Sequence, residues 1–480
     1  MQVIKDKTLW FILGVTIVVR LPLFFPTVID HDESTYLVIA NELLKGKVLY
    51  EDLIDLKPPG VFWFFAAIQW VFGKSILLVR FIDALLIGGS AYLLFRMQKR
   101  FGGTNSQGWF AALIFISGTT FHHFSLSFNN EHLMVFLTLV GFSFLLKKDN
   151  YLNAFLCGLW VGLGFIVKYL VLFDITALGL FFLVMTWQKT GSFQEVLKWA
   201  FMKGGLMLLG FLVVPILTFL YFYWGEHYDA FHFITFVAPG NYAEKVGWLA
   251  RLRYFVDFNV AYLVYLPFFY WMLFKKGGDN NFKALKLLGW IWFFFTLLAV
   301  QATGKMFPHY YLQILPVVAL LAGSSIKYIS FFKRIEKVKW AGLKGFQLAI
   351  GVFMLVGMGL NFFEVTLKTD YPKKIFNWLE PRLKEGALFY PANTSQILYY
   401  LTDQSPLTPY VHATLMIQEG HVRTLEIDVD YWIDSIKQKS PLYVVVENEY
   451  EIESFRQYLD SNYEVVKSFD DRFHIWQRIR

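Results

Sequence analysis

Charged side chains are scarce in this chain of 480 residues, in which Asp, Glu, Lys and Arg together make up 17%. Soluble proteins carry about 25% of these residues. Hydrophobic residues make up 56% of the chain and aromatic residues 20%. This composition excludes an ordinary soluble enzyme of the same length and favours a protein that is embedded in a membrane.

Cysteine and nucleotide-binding motifs are also nearly absent. The single cysteine, Cys157, lies in an apolar run, which excludes an intrachain disulfide and a thiolate metal cluster. The sequence contains no glycine-rich phosphate-binding loop, so an enzyme that binds a nucleotide in this way is excluded. It also shows no paired repeats of the kind from which many secondary transporters are built.

Long apolar runs recur instead along the first three quarters of the chain. A helix needs roughly 20 apolar residues to cross a hydrocarbon core of about 30 Å, and lipid leaves no other partner for the backbone polar groups. We therefore predict a polytopic α-helical membrane protein with about eleven transmembrane helices. The predicted spans are 9–25, 76–97, 108–127, 131–146, 152–167, 169–187, 204–224, 255–274, 284–302, 311–326 and 343–363.

The charges divide the chain into two parts. Residues 1–363 hold 31 Lys and Arg against 19 Asp and Glu, whereas residues 364–480 hold 13 against 18. We interpret the basic excess as a topology signal, since cytoplasmic loops of membrane proteins are enriched in Lys and Arg. It predicts a cytoplasmic N-terminus, with 96–106 and the basic cluster within 327–344 inside. Residues 30–60, 225–254 and 364–480 are predicted outside.

The predicted domains follow from the same division. Residues 1–363 form a transmembrane catalytic domain, whose first outer loop is 26–75, and 364–480 form a small extracytoplasmic α/β domain. In the loop, Ser34–Lys45 is predicted to be an amphipathic helix on the membrane surface, and Val61–Phe72 a re-entrant helix. In the C-terminal domain we predict strands at 442–446, 464–469 and 473–477 and a helix at 451–459.

Two polar motifs occupy the first outer loop. Asp30-His31-Asp32-Glu33 follows the first span, and its structural interpretation is a solvated loop in which Asp32 or Ser34 caps the next helix. Lys57-Pro58-Pro59-Gly60 precedes the re-entrant helix, which the prolines would start. The functional alternative is that these carboxylates and this lysine belong to an outer active site.

Further polar residues fall in the short outer loops. Glu131 begins one span, Lys168 sits where an apolar stretch turns back, and His309-Tyr310-Tyr311 follows another span. Each has a structural alternative, namely a helix-terminal charge or a lysine that reaches water, yet ionisable groups at membrane depth are functional candidates. Arg251 and Arg253 add cations in the outer segment 225–254.

Other ionisable residues are better explained by structure. His122 and His123 are two possible metal ligands without a third, so packing is the favoured interpretation. Asp83, Asp174 and Asp257 lie in or beside spans, where we expect internal partners such as Arg80, with a proton pathway as the alternative.

Together, two carboxylates and several cations and hydroxyls suit the transfer of a group from a phosphate leaving group. A carboxylate takes the proton of an incoming hydroxyl, and Lys, Arg and Tyr stabilise the departing phosphate. Because no nucleotide-binding domain is evident, a donor used at the outer face would be lipid-linked.

The ordered set in the first outer loop resembles that of the C-type (GT-C) glycosyltransferases. It comprises Asp32-Glu33-x-x-Tyr36, Gly46, Tyr50, Asp55, Lys57-Pro58-Pro59, Phe72-Gly73 and Arg80. Within that superfamily, the set is most similar to the protein O-mannosyltransferase and lipid A aminoarabinose transferase group. Glu131, Lys168 and His309-Tyr310-Tyr311 match further positions of that group.

The resemblance implies a GT-C-like fold, a polyprenyl-phosphate-sugar donor and inverting transfer to an acceptor protein, lipid or glycan at the outer face. It implies Asp32 as general base, with Glu33 and Glu131 as further catalytic carboxylates. It also implies that Lys57, Lys168 and Tyr310 contact the carrier phosphate. We further predict contacts of His309, Arg251 and Arg253 with this phosphate. Some relatives have a metal-site Glu before the Lys-Pro, where this chain has Leu56, so we expect no required metal or other cofactor.

The sequence therefore predicts a glycosyltransferase of the bacterial cytoplasmic membrane, without nucleic-acid partners. The alternatives are a proton-coupled secondary transporter or lipid-linked sugar flippase, and a non-catalytic subunit of a larger complex.

Overall fold

A computed structural model describes residues 6–242, 246–302, 304–330, 334, 339–340, 343–384, 386–412, 414–448 and 450–479. The chain forms two compact units. The first comprises Met1–Phe24, Leu77–Leu220 and Glu244–Thr366, and the second comprises Phe25–Ile76, Tyr221–Ala243 and Leu367–Arg480. Loop 26–75, which the sequence places in the membrane domain, is grouped by the structure with the C-terminal segment.

The first unit is built from helices that begin within its segments. The α-helices are Lys7–Arg20, Asn105–Gly118, Asn130–Lys147, Tyr151–Phe165, Val171–Thr190, Phe193–Trp199, Gly205–Trp224, Trp248–Ala261, Leu266–Phe274, Asn280–Ala302, Leu315–Ser324 and Gly345–Thr366. The helix Ile76–Arg100 also belongs to this unit, although it starts one residue before the segment that begins at Leu77. Shorter turns of helix are Leu21–Phe24, His123–Ser125, Ala200–Gly204, Pro308–Gln313 and Ser325–Tyr328. Lys339–Trp340 (β1) and Leu343–Lys344 (β2) pair as a small antiparallel hairpin.

Seven helices of the described residues are long and apolar enough to cross a membrane. They are Lys7–Phe24, Ile76–Arg100, Asn130–Lys147, Val171–Thr190, Phe193–Trp224, Asn280–Ala302 and Gly345–Thr366. Tyr151–Phe165 and Leu315–Tyr328 are shorter apolar helices at two further predicted spans. The prediction of a polytopic α-helical membrane protein is confirmed.

Two predicted spans differ from the structure. The predicted span 255–274 is not one continuous helix: Trp248–Ala261 and Leu266–Phe274 are separate helices bent by 107°. Pro267 explains where the second helix starts, since proline has no N–H to donate and is favoured in a first turn. In the predicted span 108–127 the helix already ends at Gly118, and Thr119 caps it.

Glycines allow two of the membrane helices to pack closely. A Cβ atom added to Gly158 or Gly162 would collide with backbone atoms of Met207 or Phe211, and one added to Gly210 would collide with Phe155. Small residues at such crossings let helix backbones approach, which is a principal source of helix association in lipid. These glycines therefore hold Tyr151–Phe165 against Gly205–Trp224 in the first unit.

The second unit combines helices with a four-stranded sheet. Its α-helices are His31–Leu44, Pro59–Phe72, Tyr228–His232, Ala238–Tyr242, Tyr371–Leu379, Ile397–Thr402, Glu419–Thr424, Val429–Lys439 and Glu453–Asn462, with shorter turns at Phe233–Val237 and Glu380–Arg382. The strands are Phe389–Pro391 (β3), Tyr443–Glu447 (β4), Tyr463–Phe469 (β5) and Phe473–Arg478 (β6). Their order is β3-β4-β6-β5, with β3 parallel to β4 and the other pairs antiparallel.

The C-terminal strands and the helix 453–462 agree with the sequence prediction, and the small C-terminal α/β sheet is confirmed. A buried run of β-branched residues makes β4 predictable, since Val444 and Val446 face a core that also contains Ile433 and Phe455.

The helix His31–Leu44 corrects one expectation. Every residue from Glu33 to Glu42 is buried, including Asn41 and Glu42. An amphipathic helix on the membrane surface would expose one face, so that prediction is wrong. Lys333 and Lys337 of the basic cluster predicted within 327–344 lie outside the described residues.

Candidate active site

The N-terminus of the helix His31–Leu44 places the first candidate residues. Asp30 is its N-cap, and the Asp30 carboxylate accepts a hydrogen bond of 2.8 Å from the backbone N–H of Asp32. The expectation that Asp32 or Ser34 provides the cap is therefore wrong. Because Asp30 performs that role, the side chain of Asp32 is not committed to the helix end.

Asp32 instead forms an ion pair with Lys57. The Lys57 Nζ lies 2.9 Å from Asp32 Oδ1 and 3.5 Å from Asp55 Oδ1. The side chains of Asp32 and Lys57 are about one quarter exposed, at 25% and 23%, whereas that of Asp55 is buried. The structure thus brings together a predicted base and a predicted phosphate ligand at a position that a substrate can reach.

Hydrogen bonds within the loop hold the segment that carries Lys57. Tyr50 has a positive φ of 73°, and its hydroxyl donates a hydrogen bond of 2.8 Å to the carbonyl oxygen of Lys57. Asp55 Oδ1 accepts from the Lys57 backbone N–H at 3.0 Å. Pro59 then starts the helix Pro59–Phe72, for which its fixed φ is suited. These contacts explain the spacing of Tyr50, Asp55 and Lys57-Pro58-Pro59 in the sequence motif.

Sequence reasoning missed His412 at this cluster. His412 Nε2 lies 3.7 Å from Asp32 Oδ1, and its side chain is 15% exposed. Burial lowers the pKa of His412 to about 4, and Lys57 adds to this effect while Asp32 opposes it. Nothing in the local sequence around His412 signals the contact, because it joins residues that are far apart along the chain.

Neighbouring acidic residues differ from Asp32 in exposure. Glu33, predicted as a second catalytic carboxylate, is only 1% exposed. Burial raises the pKa of Asp30, and the nearby charge of Asp32 raises it further. Of the two carboxylates that follow the helix cap, Asp32 and Glu33, Asp32 is therefore the more accessible.

A second cluster lies in the first unit. The Lys168 ammonium pairs with Glu131 Oε1, and the same ammonium lies 3.7 Å from the centre of the Tyr310 ring. His309 Nε2 lies 3.7 Å from Glu131 Oε1. The structure thus brings Glu131, Lys168, His309 and Tyr310 together, although they come from three separate loops.

The members of this second cluster differ in solvent exposure. The side chain of Glu131 is 1% exposed, that of Lys168 is 11% exposed and that of His309 is 24% exposed. The buried carboxylate is thus surrounded by cationic or proton-donating groups that reach closer to the surface. Such an arrangement positions cations for an anion and makes Glu131 a poor candidate for direct proton transfer.

Buried hydrogen bonds hold the segments that carry this cluster. Gln313 Nε2 donates to Asp174 Oδ2 at 2.6 Å and to the carbonyl oxygen of Leu170 at 3.0 Å. Trp292 Nε1 donates to the other carboxylate oxygen of Asp174 at 2.6 Å. Gln313 therefore ties the short helix of His309 and Tyr310 to the turn that follows Lys168.

Asp83 has buried partners within the same unit. Arg20 pairs with Asp83 Oδ2 at 2.7 Å, and His132 Nδ1 lies 2.8 Å from Asp83 Oδ1. Arg80 donates to the carbonyl oxygen of Leu23 at 3.0 Å. Asp83 therefore has internal partners, and Arg20 and His132 are among them.

The remaining predicted residues have other contacts. Arg251 Nη1 donates to the carbonyl oxygen of Gln301 at 2.7 Å, and the exposed Arg253 lies 3.9 Å from Asp257. The His122 ring packs against Phe124 and Tyr262, with ring centres 5.2 and 4.8 Å away. Within the described ranges, no group of three or more His, Cys, Asp or Glu side chains is arranged to hold a metal ion.

Comparison with known proteins agrees with the sequence motif. Residues 56–219 match the family model described as dolichyl-phosphate-mannose-protein mannosyltransferase. The chain is 25% identical over 352 residues to an undecaprenyl phosphate-alpha-4-amino-4-deoxy-L-arabinose arabinosyl transferase of Pseudomonas fluorescens, covering 68% of this chain and 60% of that one. It is 30% identical over 122 residues to the lipid A galacturonosyltransferase RgtD of Rhizobium johnstonii, covering 24% and 25% of the two chains. The chain thus spans about 60% of the length of the arabinosyl transferase.

A solved structure has the same fold. ArnT from Cupriavidus metallidurans, crystallised with undecaprenyl phosphate, superimposes with a TM-score of 0.67 at 14% identity and covers 99% of both chains. The apo form of that protein gives a TM-score of 0.66. The resemblance to the aminoarabinose transferase group is confirmed, and the chain has the fold of the C-type membrane glycosyltransferases.

Proposed function

We propose that this chain is a membrane glycosyltransferase that moves a sugar from a polyprenyl-phosphate-sugar donor to an acceptor hydroxyl on the outer face of the bacterial cytoplasmic membrane. The observation that carries the proposal is the Asp32 carboxylate, which is accessible and paired with Lys57 at 2.9 Å while Asp30 caps the helix. The lipid-linked sugar transferases among the relatives support the same class of donor.

The proposed reaction is a single displacement. The acceptor oxygen attacks the anomeric carbon, its proton passes to Asp32, and the bond between that carbon and the phosphate oxygen breaks. The configuration at the anomeric carbon inverts, and polyprenyl phosphate leaves. A carboxylate positioned in this way contributes a rate factor of about 10²–10⁴ as a general base.

The remaining predicted residues receive separate roles. Lys168 and Tyr310 are proposed to meet the carrier phosphate, with His309 beside them, since charge-assisted contacts suit a phosphate leaving group. Glu131 is proposed as a positioning residue for Lys168 and His309, because it is 1% exposed. The contacts of Lys57, Arg251 and Arg253 with the phosphate stay predictions. The catalytic role of Glu33 and the transfer of the sugar without a metal also stay predictions.

Transfer by the purified full-length protein in lipid nanodiscs tests the proposal. The donors are radiolabelled undecaprenyl phosphates that carry aminoarabinose, galacturonic acid or mannose, and the acceptor is an extract of membrane lipids and glycans. We expect the label to move from at least one donor to the extract. Absence of transfer from all three donors would refute the proposed activity.

Two matched variants test the base. Asp32→Asn keeps the size of the side chain and should lower transfer by about 10²–10⁴-fold. Asp52→Asn makes the same change at a half-exposed aspartate of the same loop and should leave transfer unchanged. Equal activity of the two variants would leave Asp32 without a catalytic role.

A further inference from the structure

His412 comes from the C-terminal segment but contacts the same carboxylate oxygen as Lys57. Its Nε2 lies 3.7 Å from Asp32 Oδ1, whereas Lys57 Nζ lies 2.9 Å from that atom. All three residues belong to the second compact unit. The separation between His412 and Asp32 exceeds a hydrogen bond, which for N–H and oxygen is about 2.7–3.2 Å.

The hydrogen bonds of His412 define its tautomer. The backbone N–H of Thr414 donates to His412 Nδ1 at 3.3 Å, and the Thr414 hydroxyl lies 2.9 Å from the same nitrogen. Nδ1 is therefore an acceptor, and in a neutral imidazole the proton then resides on the other nitrogen. Nε2, which lies 3.7 Å from Asp32 Oδ1, therefore carries the N–H.

The charge state of His412 agrees with this assignment. Burial lowers the pKa of His412 to about 4, so the ring is neutral at pH 7. A neutral donor next to Asp32 adds no second cation to the Lys57 ion pair. The Asp32 carboxylate thus has one cation, Lys57, and one neutral hydrogen-bond donor, His412, beside it.

We propose that His412 Nε2 and Asp32 Oδ1 together form the binding site for the acceptor hydroxyl. Because these two atoms are 3.7 Å apart, one oxygen atom beside the line that joins them can lie at about 2.8 Å from each. The hydroxyl oxygen accepts from His412 Nε2–H and donates its proton to Asp32, which has lone pairs for both Lys57 and the hydroxyl. His412 holds the nucleophilic oxygen, and Asp32 takes its proton during attack.

This inference rests on the proposed function and adds a role for the C-terminal segment. According to this inference, the segment 367–480 supplies a side chain that contacts the acceptor. Water would occupy the same position when no acceptor is bound, since it offers the same O–H group.

Three variants of the full-length protein test this site. His412→Phe keeps a flat ring without the donor, and His412→Gln keeps an N–H near the position of Nε2. His474→Phe is the control, since His474 lies in strand β6 with Ser468 as its partner. The assay uses the donor that is active with the wild type, varied amounts of lipid extract as acceptor, and thermal unfolding of each variant.

We expect His412→Phe to lower kcat/KM for the acceptor by about tenfold, since a hydrogen bond to a group that needs a partner is lost. The KM for the donor and the thermal midpoint should stay near those of the wild type. His412→Gln should recover most of the loss, and His474→Phe should match the wild type.

Distinct results separate this inference from the proposed function. A wild type that transfers no sugar would overturn the proposed function and this inference with it. An active wild type with an equally active His412→Phe would overturn only the hydroxyl site. So would a His412→Gln variant as impaired as His412→Phe, or a loss that appears in the donor KM, because either result indicates a packing role.

Discussion

The Lys168→Met substitution, alone and combined with Glu131→Gln, tests the carrier-phosphate proposal and separates it from an effect on folding. The substitution keeps the apolar part of the side chain and removes an ammonium whose partner, Glu131, is only 1% exposed. Removing one partner of a buried ion pair typically costs roughly 3–5 kcal/mol, because the other charge is left in an apolar surrounding. Lys168→Met alone is therefore expected to lower the free energy of unfolding as well as activity.

Adding Glu131→Gln to Lys168→Met distinguishes the two effects. Replacing both members removes both buried charges, so the thermal midpoint should return most of the way to the wild-type value. A charge-assisted contact with the phosphate is worth roughly 1.5–3 kcal/mol, which corresponds to about a 10- to 150-fold loss of transfer. That loss should persist in the double variant if Lys168 contacts the carrier phosphate.

The assay compares transfer per folded molecule with the thermal midpoint in the same detergent. Lys198→Met is the control, since Lys198 is exposed and pairs with Glu195 in the same unit. Recovery of both stability and transfer in the double variant would refute the phosphate contact. Lys168 would then serve only as the counter-ion of Glu131.

Further predictions concern the base, topology and pH dependence. Glu33→Gln should reduce transfer less than Asp32→Asn, as measured by initial rates, since Glu33 is buried. With the native Cys157 buried, an impermeant thiol reagent applied to intact cells should label Glu51→Cys and spare Lys276→Cys; the opposite pattern would reverse the proposed orientation. Burial lowers the pKa of His412 from the usual 6.5 to about 4 in the folded protein. Between these two pH values the unfolded chain binds a proton at His412 and the folded protein does not, so the free energy of unfolding falls as the pH drops from 6.5 toward 4. Thermal midpoints of the wild type should therefore decline through that window more than those of His412→Gln, and equal declines would contradict the shift.

Hydropathy by itself determined the membrane class and most of the helices. A helix satisfies its own backbone within one segment, so length and apolarity identify it locally. The same locality explains why the C-terminal strands are predictable from short runs of apolar and β-branched residues. It also explains why the break within 255–274 is not predicted, since total apolarity does not report the 107° bend between two helices.

The candidate residues were partly predictable from sequence. The motif that contains Asp32 and Lys57 indicated both residues, and Glu131, Lys168, His309 and Tyr310 were identified by their isolation at the ends of apolar runs. The sequence predicted Asp32 or Ser34 as the helix cap where the structure has Asp30, because Asp and Ser both cap helices and the choice depends on a local hydrogen bond.

Tertiary structure alone decided which of these groups meet. His412 approaches Asp32 across most of the length of the chain, and Gln313 joins the turn after Lys168 to the segment of His309 and Tyr310. It also grouped the loop 26–75 with the C-terminal segment in one compact unit. Such contacts depend on how distant segments pack, and neither hydropathy nor helix periodicity, which are properties of neighbouring residues, contains that information.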